Sequence, residues 1–296
     1  MKYSHKIFSL IALLLPHILI SQVQLGYTLQ LKDTFLIKQT ANQELTMKLE
    51  GSEQIITNVL EGLFALEVDS LLGDTYLIKI TYRDFALKSS ASQQGVLMDV
   101  RASEIKEGDL MSSIFNGLLN EQMQIQLKKD GSIVAVAGAE SIIDKMISAM
   151  GGLDEFTTSL IKKSLEKEFS SEVLAKSFEQ MTYVYGNQPV SIGDTWRTNF
   201  SGKITADNLW TLEKVTDDVV AISGTADILM NTEEDSLEMK LSGTQETLLE
   251  ASKKNGVLLK MMISGSGEGT STMATAANVT IPTTLKQTLT YELITE

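Results

Sequence analysis

Apolar residues recur at every second position through most of this 296-residue chain. In "VQLGYTLQL", Val23, Leu25, Tyr27, Leu29 and Leu31 share one face, with Gln24, Thr28 and Gln30 on the other. The pattern returns in "ELTMKL" (Leu45, Met47, Leu49), "TYLIKITY" (Tyr76, Ile78, Ile80, Tyr82) and "MQIQL" (Met123, Ile125, Leu127). "SLEMKL" (Leu237, Met239, Leu241) and "TLTYELI" (Leu289, Tyr291, Leu293) repeat it. Alternation of this kind predicts antiparallel strands with one dry and one wet face. The turns agree: "KKDGSIV" and "KKNGVLL" set Asp130-Gly131 and Asn255-Gly256 between apolar runs. Such pairs accept the positive φ angles of tight hairpins.

Two regions change period. In "GDLMSSIFNGLLN", Asp109 caps a short helix whose Leu110, Ile114 and Leu118 share a face. Across 139–181, "ESIIDKMISAM" stops at Gly151-Gly152, and Leu153, Phe156, Leu160, Leu165 and Phe169 follow at helical spacing. Ser171 is the expected cap of a third piece, "SEVLAKSFEQM". This predicts a helical hairpin or small cluster with one sticky face. The fold class is therefore α+β, mainly β: antiparallel sheet, in one unit or two related ones, with a helical insertion at about 139–181. The segments are a leader at 1–21, an N-terminal β-rich unit at 22–138 with one short helix, the helical segment at 139–181, and a C-terminal β-rich unit at 182–296.

The leader has the layout of a secretory signal peptide: Lys2 and Lys6, an apolar run from Ile7 to Ile20, and Leu19 and Ser21 before a cut ahead of Gln22. The run is shorter than the ~20 apolar residues a membrane anchor needs, and Pro16-His17 interrupts it. The expectation is an exported protein, periplasmic or extracellular, with no transmembrane anchor after the leader is removed. The chain has no cysteine, which excludes a lipid-modified cysteine at the cut, and its size allows a core without disulfides. Both histidines, His5 and His17, lie in the leader. Losing Lys2 and Lys6 leaves 23 basic residues against 38 acids, a net charge of −15. That balance argues against nucleic acid and anionic head groups as partners.

"LFALEVDSLLGDTYLIKITY" (63–82) and "LWTLEKVTDDVVAISGTA" (209–226) both run apolar strand, acidic turn, apolar strand. "QQGVLMDV" (93–100) matches "KNGVLLKM" (254–261) once a gap is allowed. A duplication and chance likeness between alternating strands both remain open. "QMQIQLKKDGSIVAVAGAESI" (122–142) runs strand, tight turn, strand, then Gly-Ala-Glu into a helix, and "PVSIGDTWRTNF" (189–200) carries Pro-Val-x-x-Gly-Asp-x-Trp. In these elements, and over most of the mature length, the chain resembles the domain of unknown function 6263 family of exported bacterial proteins. The resemblance implies compartment and architecture, and brings no activity with it.

Missing side chains exclude several chemistries. Ser-His-Asp and Cys-His systems need an imidazole, and structural zinc needs thiolates or imidazoles. The Ser-x-x-Lys spacings in "SLIKKSLEK" and "SSEVLAKSF" fall inside amphipathic helices. The acid clusters Asp217-Asp218 and Glu233-Glu234-Asp235 fall in expected turns, where charge is solvated, and "NTEED" lacks calcium-loop spacing. "SGSGEGTST" (264–272) has no lysine after its last glycine and reads as a flexible or twisted strand edge, not a phosphate loop. No catalytic, cofactor-binding or metal residue is assigned, no cofactor is expected, and ligand-binding residues are left open.

Twelve methionines outside the leader, among them Met98, Met111, Met123, Met146, Met150, Met230, Met239, Met261 and Met262, suit either core filling or a pocket for a flexible apolar ligand. The reading is a non-enzymatic exported protein that binds an apolar or protein ligand in a sheet–helix cleft. The alternatives are a structural or interaction component of the cell envelope and, further off, a carboxylate-based hydrolase. In "PVSIGDTWRTNF", Gly193-Asp194 makes a turn, after which Trp196, Thr198 and Phe200 alternate with Thr195, Arg197 and Asn199. Trp196 and Phe200 are expected to anchor the second β-rich unit, with Arg197 in solvent or paired with an acid.

Overall fold

The computed structural model describes residues 22–49, 51–152, 154–234, 237–273 and 279–295. The leader and Leu153 lie outside them. Chain order is β1 (Thr34–Leu49), β2 (Ser52–Leu72), β3 (Thr75–Ala91), β4 (Gly95–Arg101), α1 (Leu110–Asn116), β5 (Gln122–Lys128) and β6 (Ile133–Ala137). Then come α2 (Ala139–Ser148), α3 (Glu155–Phe169), α4 (Ser171–Thr182), β7 (Thr195–Ser201), β8 (Ile204–Val215), β9 (Val219–Glu234), β10 (Leu237–Ser252), β11 (Leu258–Met273) and β12 (Thr280–Ile294). Both β-rich stretches enter one antiparallel sheet of order β6-β5-β3-β2-β1-β12-β11-β10-β9-β8-β7, with β4 paired to β3 off that path. The first and last strands meet at its centre, Gln43 opposite Gln287.

The sheet curls around the helices, and its two edge strands, β6 and β7, both reach α4. Inward side chains Tyr76, Ile78, Ile80, Met123, Ile125, Leu249, Met261 and Tyr291 pack with Ile142, Met146, Leu174, Phe178 and Met181 of the helices in one cluster. Phe178 meets Phe64 edge-on at 6.2 Å. Met123, Met146 and Met261 fill this core. The space between helices and sheet is therefore packed: the apolar cavity by Tyr27, Ile78, Met181 and Leu258 holds only about 30 Å³.

Four local expectations change. "VQLGYTLQL" is extended but joins no ladder apart from one bridge between Val23 and Val190. It laces turns together: Tyr27 N–H donates to the Lys129 carbonyl at 2.8 Å and Thr28 N–H to that of Asn255 at 3.0 Å. Leu25, Tyr27 and Leu29 are buried as expected, because the segment lies between the turns and the core. Asp109 caps α1 through Met111 N–H, but Ser170, with extended backbone, caps α4. Ser171 is already helical and its hydroxyl donates to Glu140 on α2 at 3.0 Å. The sticky face of α3 is largely bare: Leu165 is buried, while Phe156 and Leu160 are 72% and 53% exposed. "SGSGEGTST" is no edge, since β11 runs between β10 and β12.

Strand β4 is held from outside by Arg101, whose guanidinium donates to Glu61 at 2.8 Å and to Asp84. Partial burial pushes the Asp84 carboxyl up, but hydrogen bonds from Arg101, Ser103 and the Phe85 N–H outweigh it and hold it below its usual value. A depressed folded pKa stabilises fully above the ordinary carboxylate range and is lost as pH falls through the folded value. The protection of the 95–101 amides relative to intrinsic exchange should therefore fall below about pH 4. Hydrogen-exchange mass spectrometry checks this, and Asp84→Asn should abolish the step.

Candidate functional site

"PVSIGDTWRTNF" is built as structure. The Asp194 carboxylate accepts from Ser191 N–H at 2.8 Å and closes the turn. Arg197 and Asn199 both face Asp207 on β8, at 3.6 and 3.3 Å, in solvent. Trp196 points inward, donating from Nε1 to the Val184 carbonyl at 2.7 Å, and stands opposite Trp210. Asp217 and Asp218 are exposed in the β8–β9 turn. Asp235 lies outside the described residues, which contain no group of three potential metal ligands. The buried phenols of Tyr27, Tyr82, Tyr185 and Tyr291 are pushed up by desolvation and stay neutral.

What the sheet does assemble is a transverse row of amides on its inner face. Asn58, Gln43, Gln287, Gly265, Gln245, Ala226, Asn208 and Thr198 stand side by side across eight neighbouring strands, each in register with the next. Asn58 Nδ2 donates to Gln43 Oε1 at 3.1 Å, and Trp210 Nε1 donates to Thr198 Oγ1 at 2.8 Å. Gln245 and Gln287 are only 6% and 7% exposed. Gln245 Oε1 and Gln287 Nε2 are buried with no hydrogen-bond partner. Each unpartnered atom costs about 1–3 kcal/mol.

This row divides the interior. On its helix side lies the main core. On the other side Ile204, Ala206, Ile228, Met230, Leu241 and Leu285 form a second cluster that Ala226 of the row joins, with Leu45, Phe200 and Met239 against it. All of these residues sit on strands. Gly265, Gly267 and Gly269 face inward on β11, where the missing side chains let β10 and β12 approach across it.

A groove of about 460 Å³ runs between α4 and the β7–β8 hairpin, lined by Val173, Lys176, Gln180, Phe200, Lys203 and Ile204. Behind Phe200 and Ile204 lies a cavity of about 20 Å³, reached by Tyr183, Asn208, Trp210, Gln245 and Thr247. The carboxylate of Glu179 at this cavity is already engaged, accepting from Ile133 N–H and Lys176, each at 3.0 Å. Two wider grooves, of about 740 and 810 Å³, contain many outward-facing side chains, including Glu44, Glu246 and Lys286 in one and Leu63, Lys79 and Arg83 in the other; Gln43, Asn58, Gly265 and Gln287 of the row also border the first. The signal for the amide row lay where alternation is interrupted: Leu285-x-Gln287-x-Leu289, and Leu241 to Leu249 through Gly243, Gln245 and Thr247.

A single antiparallel sheet curled about a few helices, with a polar row across its inner face, is a recognisable class of fold. In its backbone fold alone, the chain is similar to the structure of lipovitellin described as showing its lipid–protein interactions, with a TM-score of 0.52 and 9% identity over 90% of this chain. The match spans 26% of the lipovitellin chain. An outer membrane channel from Pseudomonas putida F1 aligns over 91% of this chain and 98% of its own at 7% identity, with a TM-score of only 0.26. No curated protein matches in sequence. The chain belongs to the family of unknown function DUF6263, whose model matches residues 73–258.

Proposed function

We propose that this chain is a non-enzymatic exported protein that holds an apolar ligand inside the curl of its sheet. The observation that carries the reading is the second apolar cluster, built from strands alone and set apart from the helix-packed core by the amide row. A chain folding only for stability gains most from one continuous apolar interior, because buried amides without partners destabilise it. The lipovitellin likeness, with the lipid–protein interactions described for that protein, supports the same reading. The packed sheet–helix interface moves the expected ligand from that seam to the strand-only cluster. The exposed Phe156 and Leu160 on α3 favour a second reading, a contact with an envelope protein.

The leader supports export. Protein expressed with its leader should be recovered outside the cytoplasm with an N-terminus at Gln22, read from its intact mass. Purified without detergent and extracted with organic solvent, it should release a lipid in near-stoichiometric amount. A clean solvent extract would overturn the apolar-ligand reading, and a retained Met1 would overturn export.

A further inference from the structure

We propose that Gln245 and Gln287 together recognise the hydroxyl of a neutral lipid, whose chain lies along the strand-only cluster. This rests on the apolar-ligand reading above and adds the chemistry of the head group. The two amides flank Gly265 in the row. Gly265 carries no side chain, and a Cβ there would lie 3.4 Å from Gln287 Nε2, so the Gln287 amide lies over the strand that separates the two. The unpartnered atoms are one carbonyl oxygen and one amide nitrogen. A hydroxyl both donates to the first and accepts from the second.

Charge selects against an acid. No residue of the row is ionisable, and the nearby Glu179 already accepts from Lys176 and Ile133. A carboxylate head group buried here would meet no free cation in the row, at a desolvation cost that a hydroxyl avoids. Access runs through the groove beside α4. Phe200 and Ile204 border both that groove and the inner cavity onto which Gln245 opens. The cavity's 20 Å³ is the size of one water, so the described state is closed, and binding requires Phe200 to move.

The test uses delipidated mature protein, 1-monolauroylglycerol and laurate at pH 8, with binding followed by tryptophan fluorescence. Trp210 reports on the row because its Nε1–H is bonded to Thr198 within it. Wild type should bind the monoacylglycerol at least about tenfold more tightly than laurate. The double variant Gln245→Leu, Gln287→Leu should lose about tenfold or more of that affinity while melting at the same or a higher temperature, because its buried amides had no partners. Equal binding of both probes by wild type overturns the head-group assignment without touching the apolar-ligand reading. Unchanged affinity in the double variant overturns it too. If wild type binds neither probe, the apolar-ligand reading itself falls. The wild-type comparison stands even if the variant does not fold.

Discussion

Gly131→Ala is expected to destabilise the protein by about 4 kcal/mol or more, enough to free α4 from the β5–β6 hairpin. Gly131 has φ +93, and a Cβ there would lie 1.8 Å from the carbonyl oxygen of Thr182 at the end of α4. Neither partner can yield. The Thr182 hydroxyl donates back to the Gly131 carbonyl at 2.7 Å, and Tyr27 Oη donates to the Thr182 carbonyl at 3.4 Å. One close approach thus ties hairpin, helix and N-terminal segment together. Gly73→Ala is the control: φ is +66, but nothing lies within 4 Å. It should cost only the left-handed backbone strain, about 1–2 kcal/mol. Urea titrations compare the two. Equal losses would show that backbone strain, not the approach to Thr182, makes this glycine necessary.

The same turn shows how far sequence reaches. Asp130-Gly131 announced a hairpin, and a hairpin is there, because turn chemistry and flanking alternation are local. That the glycine also admits a helix fifty residues on is not local. Strand periodicity was legible for the same reason: Tyr76, Ile78, Ile80 and Tyr82 all face the core. It misled at residues 23–31, where alternation reports burial on one side but not whether backbone bonds go to a strand or to turns. On α3, helical spacing of Phe156 and Leu160 gave the helix correctly but not its cover. Spacing says which residues share a face, not what lies against it.

The candidate site was least legible of all. Asn58, Gln43, Gln287, Gln245, Asn208 and Thr198 come from six strands, and only the register of the whole sheet lines them up. Each alone is an unremarked polar residue in an apolar alternation. Register is set by long-range pairing, since a slip of one residue would turn every one of them outward. The glycines of "SGSGEGTST" belong to the same logic. Their spacing by two puts three on one face, which reads as a flexible or twisted strand edge until β10 and β12 are placed on either side.

Trp210→Ala should destabilise by about 3–5 kcal/mol, more than Trp196→Ala, because Trp210 is 4% exposed whereas Trp196 is half-buried. The indole of Trp210 lies over its register partner on β9, Gly224, where a Cβ would fall 2.4 Å from the ring. Gly224→Ala alone should therefore cost about 1–3 kcal/mol through overpacking, since the ring is fixed by its bond to Thr198. In the Trp210→Ala background the sign should reverse. The added methyl then enters space the ring has left, and replacing a strand glycine recovers about 0.5–1 kcal/mol of backbone entropy. Circular dichroism during urea unfolding of the four proteins measures the cycle. A coupling of about 1 kcal/mol or more means that the glycine exists to seat the tryptophan beside the amide row. Equal cost of Gly224→Ala in both backgrounds would mean that β9 needs its glycine for a reason unrelated to Trp210.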